Sequence, residues 1–167
     1  MFGAPRRRPT VARTSVSDIT VRILTLDPMR VASVQAYGEN PERDAWEKLQ
    51  LWAEAKGFID LPREHPVFGF NRPGPATDGK RHGYEFWIRV GPEITSEGPV
   101  VVKEVVGGRF AVMTHRGYPN PQVWKQLWDW VQSSSYRWRK THELERIHEP
   151  LAPEGEVVFD LYLPIED

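Results

Sequence analysis

The sequence predicts an α+β domain made of two pseudo-symmetric β-α-β-β repeats, an antiparallel sheet with helices on one face and a ligand cleft between the repeats. Three observations carry this: an internal repeat, two amphipathic helices with matching start signals, and strict strand alternation after each helix. An offset of 79 aligns Arg30-Val31-Ala32-Ser33-Val34 and Gly38 with Arg109-Phe110-Ala111-Val112-Met113 and Gly117. Asn40-Pro41, Trp46 and Leu49 then match Asn120-Pro121, Trp124 and Leu127. Finally, Tyr84-Glu85-Phe86-Trp87-Ile88 matches Phe159-Asp160-Leu161-Tyr162-Leu163 at an offset of 75. Few positions are identical, but residue type and order agree across four elements. Two copies make a pseudo-symmetric domain, not a solenoid.

Taken in order, residues 1–17 are rich in Arg, Pro and Thr and read as a disordered basic tail. The domain follows over residues 18–167, with repeat one at about 18–91 and repeat two at about 99–167. A strand over Ile19–Leu26 precedes the first copy and one over Val100–Val106 precedes the second. The pair Gly107-Gly108 reads as a tight hairpin turn. Each copy opens on an alternating strand, Val31 to Tyr37 or Phe110 to Arg116. Asn40 and Asn120 are then predicted N-caps, each with proline at the first helical position. One helix carries Ala45, Trp46, Leu49, Trp52 and Ala53 on one stripe and stops at Gly57. The other carries Val123, Trp124, Leu127, Trp128 and Val131 and fades at Ser133. Paired strands follow: Val67–Asn71 with Tyr84–Val90, then His142–His148 with Val157–Ile165. A turn-rich loop divides each pair.

Composition sets the limits on function. A chain of 167 residues fits one domain with its own core. No apolar run approaches a membrane span, and no apolar segment follows the N-terminal arginines to make a secretory signal. The absence of cysteine excludes disulfides, thiolate metal sites and cysteine catalysis, which suits a cytoplasmic location. Arg6, Arg7, Arg8 and Arg13 give the tail four positive charges and no acid, so a chain of net charge −1 has a body of −5. That body argues against a nucleic-acid surface. The residues at 1–17 are also too few for a helix-turn-helix, so a stand-alone domain without direct DNA binding is expected. Seven tryptophans, seven phenylalanines and five tyrosines stand out; tryptophan exceeds what a core of this size requires, and such aromatics serve packing, thermal stability or ligand stacking, which composition does not separate.

Alternation places Tyr84, Phe86, Ile88 and Val90 under the first helix and Glu85, Trp87 and Arg89 on the other face. It does the same for Phe159, Leu161, Leu163 and Ile165 against Asp160, Tyr162 and Pro164. Each copy therefore presents a carboxylate beside a large aromatic away from its helix. Facing one another, these suit a flat, apolar and cationic ligand. The alternative is that Glu85 and Asp160 are solvated on the open side of an antiparallel sheet. In His142–His148 the histidines lie six apart, too far along a strand to share one ion, so no metal is expected. Glu145 on that strand, facing an aromatic cleft, would have a raised pKa and could anchor a cation or act as a general acid/base; Glu143 is its rival. His115, at a strand end before Gly117, is a further candidate.

Met29-Arg30-Val31-Ala32, Phe68-Gly69-Phe70-Asn71-Arg72-Pro73, Gly83 to Ile88, Gly107 to Val112 with His115 and Gly117, and Asp160-Leu161-Tyr162-Leu163-Pro164-Ile165 together resemble the GyrI-like, or AraC-type effector-binding, domain family. The resemblance covers residues 18–167. It implies two pseudo-symmetric units with a ligand channel between them and no cofactor. It also implies a pocket glutamate among aromatics that meets cationic ligands, at the position of Glu145. Some relatives of this type act as hydrolases on strained cyclopropane-containing genotoxins, with that glutamate as the catalytic group. Others act on protein partners such as topoisomerases. The expected ligand is thus a small organic molecule, aromatic, amphipathic or cationic, with a protein partner or homodimer as further expectations.

Overall fold

The computed structural model describes residues 19–72 and 80–167. The basic tail and the middle of the loop between Arg72 and Gly83 lie outside the described residues. The elements run β1 (Arg22–Leu26), β2 (Met29–Gly38), α1 (Pro41–Ala55), β3 (Val67–Arg72), β4 (His82–Arg89), β5 (Val101–Val105), β6 (Gly108–Arg116), α2 (Pro121–Ser133), β7 (Arg137–Trp138), β8 (Leu144–Ile147) and β9 (Val158–Glu166). Each expected element is present. β8 is shorter than His142–His148, because the chain after Arg139 bulges away from β9 before rejoining it at Leu144. The short β7 on the same flank of β9 had no sequence signal.

The helices form where the apolar stripes place them. Ala45, Leu49 and Ala53 of α1 pack on Ala32, Val34, Tyr84, Phe86 and Ile88. Val123, Leu127 and Val131 of α2 pack on Ala111, Met113, Phe159, Leu161 and Leu163. Both helices start Asn-Pro, yet only one asparagine side chain caps. Asn120 Oδ1 accepts from the Val123 N–H at 3.1 Å, whereas Asn40 makes no side-chain cap bond. Asn120→Ala is therefore expected to cost about 1 kcal/mol and Asn40→Ala under about 0.5 kcal/mol in urea unfolding. Equal costs would show that the cap is not the difference.

All strand pairs are antiparallel, in the order β1-β6-β9-β8-β3-β4-β2-β5. The lead-in strands are exchanged: β1 pairs with β6 of the second repeat, and β5 pairs with β2 of the first. Gly107-Gly108 is accordingly not a hairpin turn, since β5 and β6 pair with different partners. It belongs to a connector that passes against the β1–β2 connector. A Cβ on Gly107 would fall 1.8 Å from the Leu26 carbonyl oxygen, so glycine alone permits the crossing.

This exchange forces the sheet to curl. Six strand spacings separate β1 from β2, about 29 Å if the sheet were flat. The two-residue connector Asp27-Pro28 spans at most about 11 Å. The ends of the sheet must therefore come together, and the face away from the helices becomes an interior. It is filled by Val31, Phe68, Phe70, Trp87, Phe110, Val112, Leu144 and Tyr162, drawn from both repeats. For that reason β4 and β9 are buried on both faces over most of their length.

Candidate functional site

The two repeats meet at the β3–β8 pair, where Gly69 lies opposite Glu145. Gly69 pairs on its other side with Phe86, and Glu145 with Leu161, two positions equivalent in the repeat. Gly69 and Glu145 are thus each other's counterparts, and the pseudo-two-fold axis passes between them. The duplication is broken there, with glycine in one copy and glutamate in the other.

Above this point, on the helix side of the sheet, lies a cavity of about 610 Å³. Trp46 of α1, Tyr84 and Phe86 of β4, Tyr118 ahead of α2 and Phe159 of β9 wall it, with Glu145 and Ile147 on the floor and Glu42 from the first turn of α1. The rings pack on one another: Trp46 and Phe86 have centroids 5.3 Å apart, Tyr84 and Phe86 4.9 Å, and Tyr118 and Phe159 5.6 Å. The size falls within the range of small-molecule pockets.

Glu145 is partly buried and accepts two hydrogen bonds, from Tyr84 Oη at 3.2 Å and Trp124 Nε1 at 3.3 Å. Both donors are neutral. Burial raises its pKa above the ordinary carboxylate value; the two hydrogen bonds oppose that rise and the charge of Glu42 adds to it. Tyr84 reaches Glu145 by lying over Gly69, where a Cβ would be 2.4 Å from its hydroxyl and 2.8 Å from the ring. Burial and the neighbouring Glu145 charge push the Tyr84 phenol well up, so it stays a donor.

Glu85, Trp87, Asp160 and Tyr162 do lie on the face away from the helices, as alternation requires, but the shared cleft expected there does not form. That face is the packed interior of the curl, and the cavity is on the opposite side. Trp87 stands edge-on to Phe70 at 4.8 Å, and Tyr162 edge-on to Phe68 at 5.7 Å and Phe110 at 5.5 Å. Nor are the two carboxylates solvated; Glu85 is 0% exposed and Asp160 3%. Glu85 accepts from Ser33 Oγ and Lys103 Nζ, both at 2.5 Å, Arg72 Nη1 at 3.0 Å and Trp87 Nε1 at 3.2 Å. Asp160 takes Thr114 Oγ1 at 2.6 Å, His148 Nε2 at 2.7 Å and Arg22 at 3.2 Å. Burial works against the charge on both. Donors and cations, Lys103 and Ser33 at one and His148 and Thr114 at the other, outweigh it and hold each pKa below its ordinary value. Each clamp includes a cation from the exchanged strand, Lys103 from β5 and Arg22 from β1.

Residues 19–166 match the family described as the GyrI-like small-molecule binding domain. The chain belongs to this family. Its fold is similar to the C-terminal domain of EcmrR, with a TM-score of 0.67 at 14% identity over 89% of this chain and 98% of that one. Against the longer EcmrR chain seen in a complex with DNA, the likeness spans 57% of that chain. An uncharacterized conserved protein from Listeria innocua (TM-score 0.64, 14% identity, 87% and 92% of the two chains) is similar too. So is a hydrolase from the same organism (TM-score 0.62, 13% identity, 87% and 91%). No curated protein matches in sequence.

Within this GyrI-like domain, the remaining candidates stand apart from the cavity. His115 lies beside Met113 and Gln126 in a separate shallow depression. Glu143, whose pKa burial raises, is not among the residues lining the cavity. His142 stacks on Phe70 at 4.2 Å over the interior face. Among the described residues, no group of three or more His, Asp or Glu side chains could hold a metal ion, and no helix is long and apolar enough to cross a membrane. Sequence reasoning missed Trp46, Trp124, Tyr84 and Phe159 as site residues because all four fit the core stripe. The available signal was that Trp46 and Trp124 are bulky repeat mates in the opening turns of their helices.

Proposed function

We propose that this domain binds a small aromatic or amphipathic ligand bearing positive charge, in the cavity between the helices, with Glu145 as the countercharge. One observation carries the reading. Among the described residues, three carboxylates of the sheet are withdrawn from water, and two of them, Glu85 and Asp160, are met by cations; the described donors to Glu145, Tyr84 and Trp124, are neutral, and it opens onto aromatic walls. A cation there gains both the carboxylate and the ring faces.

Titration with the planar cation rhodamine 6G, followed by quenching of tryptophan fluorescence, tests it. Saturable binding is expected, weakened about tenfold in Glu145→Gln. Because the folded pKa of Glu145 is raised, its ionised form is reached only above the ordinary value of 4.5. Affinity should therefore climb as pH rises through the folded pKa of Glu145 and level off above it, a slope reduced in Glu145→Gln. Absence of saturation, or an affinity that Glu145→Gln leaves unchanged, contradicts the reading.

A second reading has its own support in the Tyr84–Glu145 pair. A carboxyl whose pKa burial raises, set beside a phenol, can give its proton to a strained ring as water adds to it, the water's proton then returning to the carboxylate. Product formed in excess over protein, and lost in Glu145→Gln while binding persists, would establish hydrolysis. Stoichiometric binding without turnover would remove it.

A further inference from the structure

The cavity holds a second carboxylate that the reading above does not use. Glu42 projects from the first turn of α1 and lines the same space as Glu145. Acid in that turn favours the helix in any case. Asp44 supplies it on the outer surface, where it lines a different depression, while Glu42 is among the residues lining the aromatic-walled cavity. Its charge reaches the floor, raising both the Glu145 carboxyl and the Tyr84 phenol. Two carboxylates thus line one cavity, and a single cation at Glu145 meets only one of them.

We propose that the ligand carries two cationic groups on an aromatic body, one held at Glu145 and the other at Glu42. This rests on the cation-site reading and narrows it. The present partner of Glu42 is His82, whose Nε2 lies 2.5 Å from Oε1. Both side chains are close to half exposed, 43% and 48%, so the pair is weak and a ligand cation can take the place of the imidazole. The cation among the lining residues, Arg43, is turned to Glu47 at 2.9 Å along the outer helix surface and does not occupy Glu42. Trp46, Tyr84 and Phe86 line the same cavity as the two carboxylates and offer surfaces on which a flat body can lie.

Calorimetry with matched amines tests the proposal: 1,4-bis(aminomethyl)benzene against benzylamine, and 4,4′-bis(aminomethyl)biphenyl against its mono-aminomethyl counterpart. At least one diamine is expected to bind about fivefold more tightly than its monoamine, the size of one partly exposed ion pair. That ratio should fall to about one in Glu42→Gln and grow in His82→Gln, which removes the competitor; a merely structural role for the Glu42–His82 pair would not move the two in opposite directions. Diamine and monoamine binding equally, or an advantage that survives Glu42→Gln, overturns the proposal while leaving Glu145-dependent monoamine binding intact. If no amine binds, or if binding ignores Glu145→Gln, the cation-site reading falls and this one falls with it.

Discussion

Glu85→Ala is expected to lower folding stability by about 3 kcal/mol, read as the shift of a urea unfolding curve at neutral pH. The carboxylate is fully buried and ties together β2, β3, β4 and β5 through Ser33, Arg72, Trp87 and Lys103. Removing one partner of a buried ion pair costs about 3–5 kcal/mol. The low end applies because Arg72 and Lys103 are 44% and 34% exposed and can turn to water. Ser33 and the Trp87 N–H cannot, and stay unpaired in the interior. The pH dependence gives a second check. The folded pKa of Glu85 lies below 4.5, so its stabilisation is complete above that value and is lost as pH falls through the folded value. The variant should show a shallower acid limb, with the part due to Asp160 retained. A cost below about 1 kcal/mol would mean that the clamp contributes little beyond packing.

Gly69→Ala should cost about 1–3 kcal/mol although the strand geometry suits alanine. The added methyl would fall 2.4 Å from the Tyr84 hydroxyl and 2.8–2.9 Å from two ring carbons. Tyr84 is buried against Phe86, so its ring has to swing off the glycine, breaking the bond to Glu145. The site is altered with the stability, because Glu145 loses one of its two donors. A double-mutant cycle isolates this: in a Tyr84→Ala background the Gly69→Ala cost should nearly vanish. Equal costs in both backgrounds would place the strain elsewhere.

Much of the architecture was legible because it is local. Asn-Pro followed by a spaced apolar stripe specifies each helix, and the alternation from Tyr84 to Ile88 assigns faces without tertiary information. What alternation does not say is which face is covered. A sheet with helices on one side commonly has the other side wet, so alternation leaves the Glu85 and Asp160 face to be either solvated or a cleft, and the curl makes it neither. The sequence did carry a warning: Trp87 and Tyr162 are large aromatics set opposite already apolar faces, the pattern of strands buried on both sides. Strand exchange was not legible, since pairing β1 with β6 is a contact over more than 80 residues that no local signal marks. Glu145 was reached through the family likeness; its asymmetry with Gly69 emerges only from the register of β3 and β8.

The exchanged strands also order events during synthesis. Arg22 pairs with Val112, 90 residues later, so at about 5–20 residues per second β1 waits on the order of 4–20 s for its partner to leave the ribosome. The first repeat is likewise incomplete until β5 emerges to cover the open flank of β2. Throughout that interval the nascent chain presents unpaired strand edges, the kind of template on which aggregation begins. Neither repeat can finish before the other has started, and the chain commits to its native form late and as a whole.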